Sequence, residues 1–201
     1  MKLYYVPGAC SLASHIALKE LGATFEAIRV DIRAKKTATG ADFSAITAKG
    51  YVPALELDSG EVLTEGTVVL QYVADLEPAL GLAPAAGTMD RYRLMEWLGF
   101  VNSEVHKNFS PLFDPTAPEV LKERARAMLA KRLTYVAGEL AGRDYLLGAQ
   151  FTVADAYLYT VLGWTSKVGV DLSPWPVFEA YRARIGARPS VQAAQAAEKA
   201  A

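Results

Sequence analysis

One thiol occurs in the 201 residues of this chain. It sits in the stretch YYVPGACSLASH, where Pro7-Gly8 breaks an apolar run and Ser11 can cap the helical pattern that follows. A thiol in the first turn of a helix lies among backbone N–H groups without carbonyl partners, at the positive end of the helix dipole. Both features favour the thiolate, the nucleophilic form of cysteine. A lone cysteine is often only a small packing hydrophobe; the turn position of Cys10 brings the reactive reading level with that one. Two further places could hold a ligand. Val52-Pro53 precedes the strand pattern ALEL, where a proline marks a strand start or bend, and a cis bond there would leave the Val52 backbone groups to a ligand. Glu65-Gly66 joins a carboxylate suited to an ammonium group with helix-start N–H groups suited to a carboxylate. An ordinary turn proline and an acid placed for the helix dipole would explain these two equally simply. His106 lies far along the chain from Cys10, and an isolated helical histidine is more often a surface or capping group than a catalytic one.

The elements that must position these residues change character along the chain. KLYYV reads as a buried strand, SLASHIALKELG as a helix ended by Gly22, and FEAIRVD as a second strand. A polar stretch follows, with a short helix near Asp42–Ile46. YVPALELDSGEVLTEG then gives a hairpin, with Leu55 and Leu57 on one face, and TVVLQYVADL a helix. The order β-α-β, crossing segment, β-β-α implies one parallel pair with a right-handed crossover and one antiparallel hairpin. EPALGLAPAAGT reads as a linker. Beyond it strand signals stop, and MDRYRLMEWLGFVNSEVHKNF, VLKERARAMLAKRLTYVAGEL, FTVADAYLYTVLGW and PVFEAYRARIGARPSV all read as helices. The expected layout is an α/β domain over 1–78, a linker over 79–88 and an all-α domain over 89–201, whose alanine-rich tail after Val191 frays.

Composition excludes several classes. Hydrophobic residues make up 52% and charged residues 21%, enough for a packed core, and the net charge of -1 carries no basic footprint for nucleic acid. No apolar run is long enough to span a membrane. Leu3 to Val6 is too short for a signal core, although Gly-Ala-Cys faintly suggests a lipoprotein site. A single cysteine forbids an intrachain disulfide and suits the reducing cytoplasm.

Taken together, YxxPGACSLAxHIAL, GYVPALxLDxGxxLTEGxxxxQYxAD, SExHKxFxPLF and FTVADAYLYxVLxW resemble the bacterial beta class of the cytosolic glutathione transferases, end to end. The resemblance implies a thioredoxin-like first domain, an all-α second domain, a homodimer, and glutathione as co-substrate with no tightly bound cofactor and no metal. It implies that Cys10 faces the sulfur of glutathione and forms a mixed disulfide with it. Val52 would pair by its backbone with the cysteinyl part, next to Pro53. Glu65 and Gly66 would hold the γ-glutamyl end, and Lys35 the glycine carboxylate. Ser103, Glu104, His106 and Lys107 would lie near the site, with His106 stabilising a thiolate or donating a hydrogen bond near the sulfur. Tyr5 and Ser11 match the positions of the activating hydroxyls of other classes and rank as secondary here. Gly99 departs from the family, which often has asparagine there, so a weaker hold on glutathione or a water in its place is expected. His15 has no such support and reads as structural. Thr152 and Asp155 have capping-box spacing, worth about 1 kcal/mol for the cap, and Asp155 reads as structural rather than catalytic.

The activity implied is conjugation of glutathione to small hydrophobic electrophiles, with cysteine-dependent thiol-disulfide exchange, at an apolar pocket between the domains. Two other readings fit the same residues. One is a glutathione-dependent reductase or dehalogenase working through a Cys10 mixed disulfide; CSLA lacks the second cysteine of C-x-x-C, which excludes a dithiol mechanism. The other is a protein that sequesters apolar ligands without turnover.

Overall fold

A computed structural model describes residues 1–200. The apolar run KLYY becomes β1 (Lys2–Tyr5), the middle of five strands. On one side it pairs in parallel with β2 (Glu26–Asp31), Leu3 opposite Ala27, and β2 pairs antiparallel with the two-residue β3 (Lys36–Thr37). On the other side it pairs antiparallel with β4 (Ala54–Glu56), Leu3 opposite Leu55, and β4 forms the expected hairpin with β5 (Val62–Thr64). The strand order is therefore β3-β2-β1-β4-β5. The short α2 (Phe43–Ile46) is capped by Asp42, whose side chain accepts from the Ser44 amide. Tyr4, Ile28, Val30, Phe43, Val52 and Ala54 form the core on one face of the sheet. The alternate positions Leu3, Tyr5 and Leu55 are also buried, as the period of two requires. α1 (Ser11–Glu20) and α3 (Gly66–Asp75) pack against each other. This is the thioredoxin-like arrangement expected from the sequence.

The helical part runs through α4 (Met89–Phe100), a π-helical turn (Val101–His106), α5 (Lys107–Phe113), α6 (Glu119–Glu139), α7 (Val153–Leu162), the one-turn α8 (Thr165–Val168) and α9 (Val177–Gly186). Leu94, Leu98, Val105, Phe109, Leu129, Leu133 and Leu158 are buried in it. Asp155 closes a capping box with Thr152 at the start of α7. Its carboxylate also accepts from the Leu146 amide at 2.8 Å and the Tyr181 hydroxyl at 2.9 Å, so it ties α7 to a loop and to α9. Burial pushes its pKa up, against the pull of these bonds.

The structure corrects the sequence in four places. One helix was expected over MDRYRLMEWLGFVNSEVHKNF; the π turn interrupts it. Ser11 was expected to cap α1. It is instead the first helical residue, fully buried, and its hydroxyl accepts from the Val6 amide at 3.1 Å and faces the Val6 carbonyl at 3.3 Å. Cys10 is the N-cap residue, without a side-chain capping bond. The tail after Val191 does not fray: α10 (Pro189–Ala200) starts at a proline, as suits a first helical position, and buries Val191, Ala194 and Glu198. Finally, the chain divides into two units that do not follow a boundary at 89–201. The first takes in Met1–Ala83 and the chain from Gly186 onward; the second is Pro84–Ile185. The reason is local: α10 packs on α1, and Arg188 and Ser190 both bond to Glu20.

Candidate active site

The β1–α1 turn carries the thiol, and contacts from α1 and α10 hold it. Gly8 adopts φ +68°, the left-handed region that favours glycine. Its amide donates to Glu198 Oε2 at 2.8 Å, reaching α10 from the opposite end of the chain. Ser11 fixes Val6. Glu198 Oε1 also bonds His15 Nδ1 at 3.1 Å, and the His15 ring lies between those of Tyr5 and Phe25, with centroids 5.6 and 5.5 Å away. His15 is thus structural, as expected. Tyr5 is 2% exposed, and burial, with the Glu198 charge adding to it, raises its pKa.

The Cys10 thiol donates to the Val52 carbonyl at 3.3 Å. The Val52-Pro53 bond is cis. The Val52 backbone thus lies beside the thiol. A carbonyl acceptor favours the S–H form, against the helix N-terminus, which favours the thiolate.

The segment before Val52 brings the other first-unit residues together. Lys35 adopts φ +55°, and its ammonium group lies 3.3 Å from the Gly50 carbonyl. A side chain at Gly50 would put its Cβ 2.5 Å from that Nζ, so glycine leaves Lys35 its path. Glu65 adopts φ +67° at the N-cap of α3, a strained conformation for a residue with a Cβ, of the kind that clusters at ligand clamps. Its Oε1 accepts from Lys49 Nζ at 2.6 Å and the Tyr51 hydroxyl at 2.7 Å. The bond to Glu65 is the main cause raising the pKa of both partners. Gly66 follows, with Pro53 in ordinary contact distance of where its Cβ would be. Lys35, Val52, Glu65 and Cys10 are therefore joined through residues 49–53. Lys49 and Tyr51 carry little signal in the sequence; their alternation around Gly50, just before Val52-Pro53, is the one that could have found them.

The second unit holds the remaining candidates. Ser103 donates to the Gly99 carbonyl at 3.0 Å, and the space beside Gly99 is open to 4 Å. Glu104 pairs with Arg132 at 2.5 Å, and Lys107 is exposed. His106 ends the π turn. Its Nδ1 lies 2.7 Å from the Tyr157 hydroxyl, which donates to Asn102 Oδ1 at 2.9 Å. Its ring meets that of Trp164 edge-on, centroids 4.7 Å apart, and Phe109 and Phe113 also pack on Trp164. Burial, then the Lys107 charge, lowers its pKa to about 4, so the imidazole is neutral at pH 7. Tyr157 and Asn102 escaped the sequence argument: one looks like core, the other like a surface polar residue.

Among the described residues no group of three or more His, Cys, Asp or Glu side chains could hold a metal, and no helix is long and apolar enough to cross a membrane. Two family models match the chain: the glutathione S-transferase N-terminal domain over residues 8–76 and the C-terminal domain over residues 100–189. The chain is 46% identical to glutathione S-transferase GstA of Escherichia coli O157:H7, over 98% of each chain. A sphingomonad glutathione S-transferase solved with glutathione is 51% identical, with a TM-score of 0.97 over 100% of both chains. The bacterial beta-class enzyme of Sphingomonas chungbukensis is 48% identical, with a TM-score of 0.96 over 98% of each. With both domains of the family present and these relatives matched over nearly the whole chain, the protein belongs to the glutathione S-transferase family and is an enzyme of its bacterial beta class.

Proposed function

We propose that this enzyme conjugates glutathione to small hydrophobic electrophiles and that Cys10 exchanges disulfide with glutathione in the same site. The observation that carries the reading is the 3.3 Å contact between the Cys10 thiol and the Val52 carbonyl. A peptide that pairs with the Val52 backbone has its own cysteine sulfur brought beside Cys10. Glutathione is such a peptide, and the sphingomonad relative was solved with it. Glu65 and Gly66 hold the γ-glutamyl ammonium and carboxylate, with Lys49 and Tyr51 steadying Glu65. Lys35 takes the glycine carboxylate. Ser103, Glu104 and Lys107 add polar contacts, and His106 acts on the sulfur. In the exchange, the glutathione or Cys10 thiolate attacks a disulfide sulfur, one S–S bond forms, one breaks, and the displaced sulfur leaves as thiolate. A thiol kept for that purpose suits a reducing compartment such as the cytoplasm.

Intact mass after incubation with oxidised glutathione tests the reading. One reductant-sensitive glutathionyl adduct on the wild type, none on Cys10→Ala, is the expected outcome. No adduct while an unfolded control reacts would remove Cys10 from the site. Ordinary steady-state turnover of an aryl halide with glutathione distinguishes conjugation from mere sequestration. Full retention of disulfide reduction by Cys10→Ala would defeat the exchange mechanism.

The active form in this reading is a homodimer. Met89, Tyr92 and Met95 are exposed at spacings of three along α4, and Val68 is exposed on α3, which suits burial against a second copy. Sedimentation at micromolar concentration should give twice the 21.7 kDa chain mass; a monomer would contradict it.

A further inference from the structure

We infer that Tyr157 is a positioning residue that holds His106 in one tautomer, with the proton on Nδ1 and the lone pair on Nε2. A phenol has one hydrogen to give. Tyr157 gives it to Asn102 Oδ1 at 2.9 Å. The 2.7 Å contact between the Tyr157 oxygen and His106 Nδ1 then needs its hydrogen from the imidazole. In a neutral ring only one nitrogen carries a proton, so Nε2 is left as an acceptor. Nε2 has no hydrogen-bond partner among the described residues. The backbone makes the arrangement: Asn102 is the second residue of the π turn and His106 its last, in an uncommon element that often marks functional sites. Both reach the one hydroxyl on α7. Tyr157 is 2% exposed, so the relay is fixed within the second unit.

The consequence for the reaction rests on the assignment of His106 to the glutathione sulfur. A neutral ring of this tautomer cannot donate to a thiolate; it accepts from a thiol. As the glutathione sulfur attacks the electrophile, its S–H bond breaks, the proton goes to Nε2 and a sulfur lone pair forms the new bond to carbon while the leaving group departs with its own pair. Nδ1 keeps its proton on Tyr157. The imidazolium so formed later returns that proton to the leaving group or to water.

Nitrogen-15 NMR of His106 in the full-length protein reads the tautomer directly. The wild type should show a protonated Nδ1 and an unprotonated Nε2 at neutral pH. Tyr157→Phe should mix the two tautomers and lower kcat about tenfold, a part of the roughly 10²–10⁴-fold a general base contributes, with KM for glutathione little changed. Asn102→Asp, whose carboxylate accepts as Asn102 Oδ1 does, should keep the Nδ1–H form, while Asn102→Ala should lose it. A wild-type ring protonated on Nε2, or a Tyr157→Phe ring with unchanged nitrogen shifts, overturns the inference. His106→Ala separates the two levels: if it keeps wild-type turnover, the assignment of His106 to the sulfur fails; if it loses turnover while Tyr157→Phe changes neither shifts nor rate, only the role of Tyr157 fails.

Discussion

The two histidines of this chain are built almost alike and do different things. Each directs Nδ1 to an oxygen carried on another helix, a carboxylate for His15 and a phenol for His106. Each leaves Nε2 without a hydrogen-bond partner. His15 is 1% exposed and closed in by Tyr5 and Phe25, so its second nitrogen meets nothing. His106 is only partly buried, on a turn where the helix widens. Access, not bonding pattern, separates a structural imidazole from one that can handle a proton. The partners differ as well. A carboxylate anchors His15 and, through Gly8, the turn that bears the thiol; the phenol beside His106 adds no charge.

That contrast can be broken experimentally. The largest effect expected is from Glu198→Ala, which strips a buried histidine and a backbone amide of one shared acceptor. Leaving a buried donor without its acceptor typically costs about 1–3 kcal/mol, visible as a lower melting temperature in calorimetry. A loss no greater than that of an exposed substitution would mean the two histidine clusters are equivalent. Next comes pH. His106 has a pKa of about 4 in the folded chain, against roughly 6.5 unfolded. Between those values the unfolded chain binds more protons, so the stability this group contributes is present above about pH 6.5 and lost as pH falls towards 4. Denaturation curves at pH 5 and 7 should therefore differ less for His106→Gln than for the wild type; an identical difference would refute the burial argument. The smallest effect is that of Tyr157→Phe on stability, about 1 kcal/mol for one hydrogen bond. A loss as large as that of Glu198→Ala would make Tyr157 a structural anchor rather than a device for orienting a ring.

Much of the first unit was legible because its signals are local. Pro7-Gly8, the alternation in ALEL, and Glu65 before a helix each announce themselves within a few residues. The capping box of Thr152 and Asp155 is of the same kind, four positions that satisfy one another. What stayed hidden depends on pairs far apart in sequence. Asn102, His106 and Tyr157 meet only because α7 folds against a π turn, and an extra residue in a helical turn leaves no mark in a hydrophobic period. Glu198 sits in AAQAAEKA, which reads as a solvated tail by composition. Its spacing from Val191 and Ala194 is a helical stripe, and that faint pattern was the available clue. Lys49 and Tyr51 read as loop polarity until Glu65 turns to face them.

The return of α10 to the first unit has a consequence for how the protein is made. Synthesis runs from N- to C-terminus, so β1 and the thiol turn leave the ribosome before the second unit does. Glu198, which takes the Gly8 amide, is formed 190 positions later, after the whole of the second unit. A nascent chain that has already produced every strand still lacks the helix that packs on α1. The turn that carries Cys10 is thus begun before the second unit is made and completed only after it.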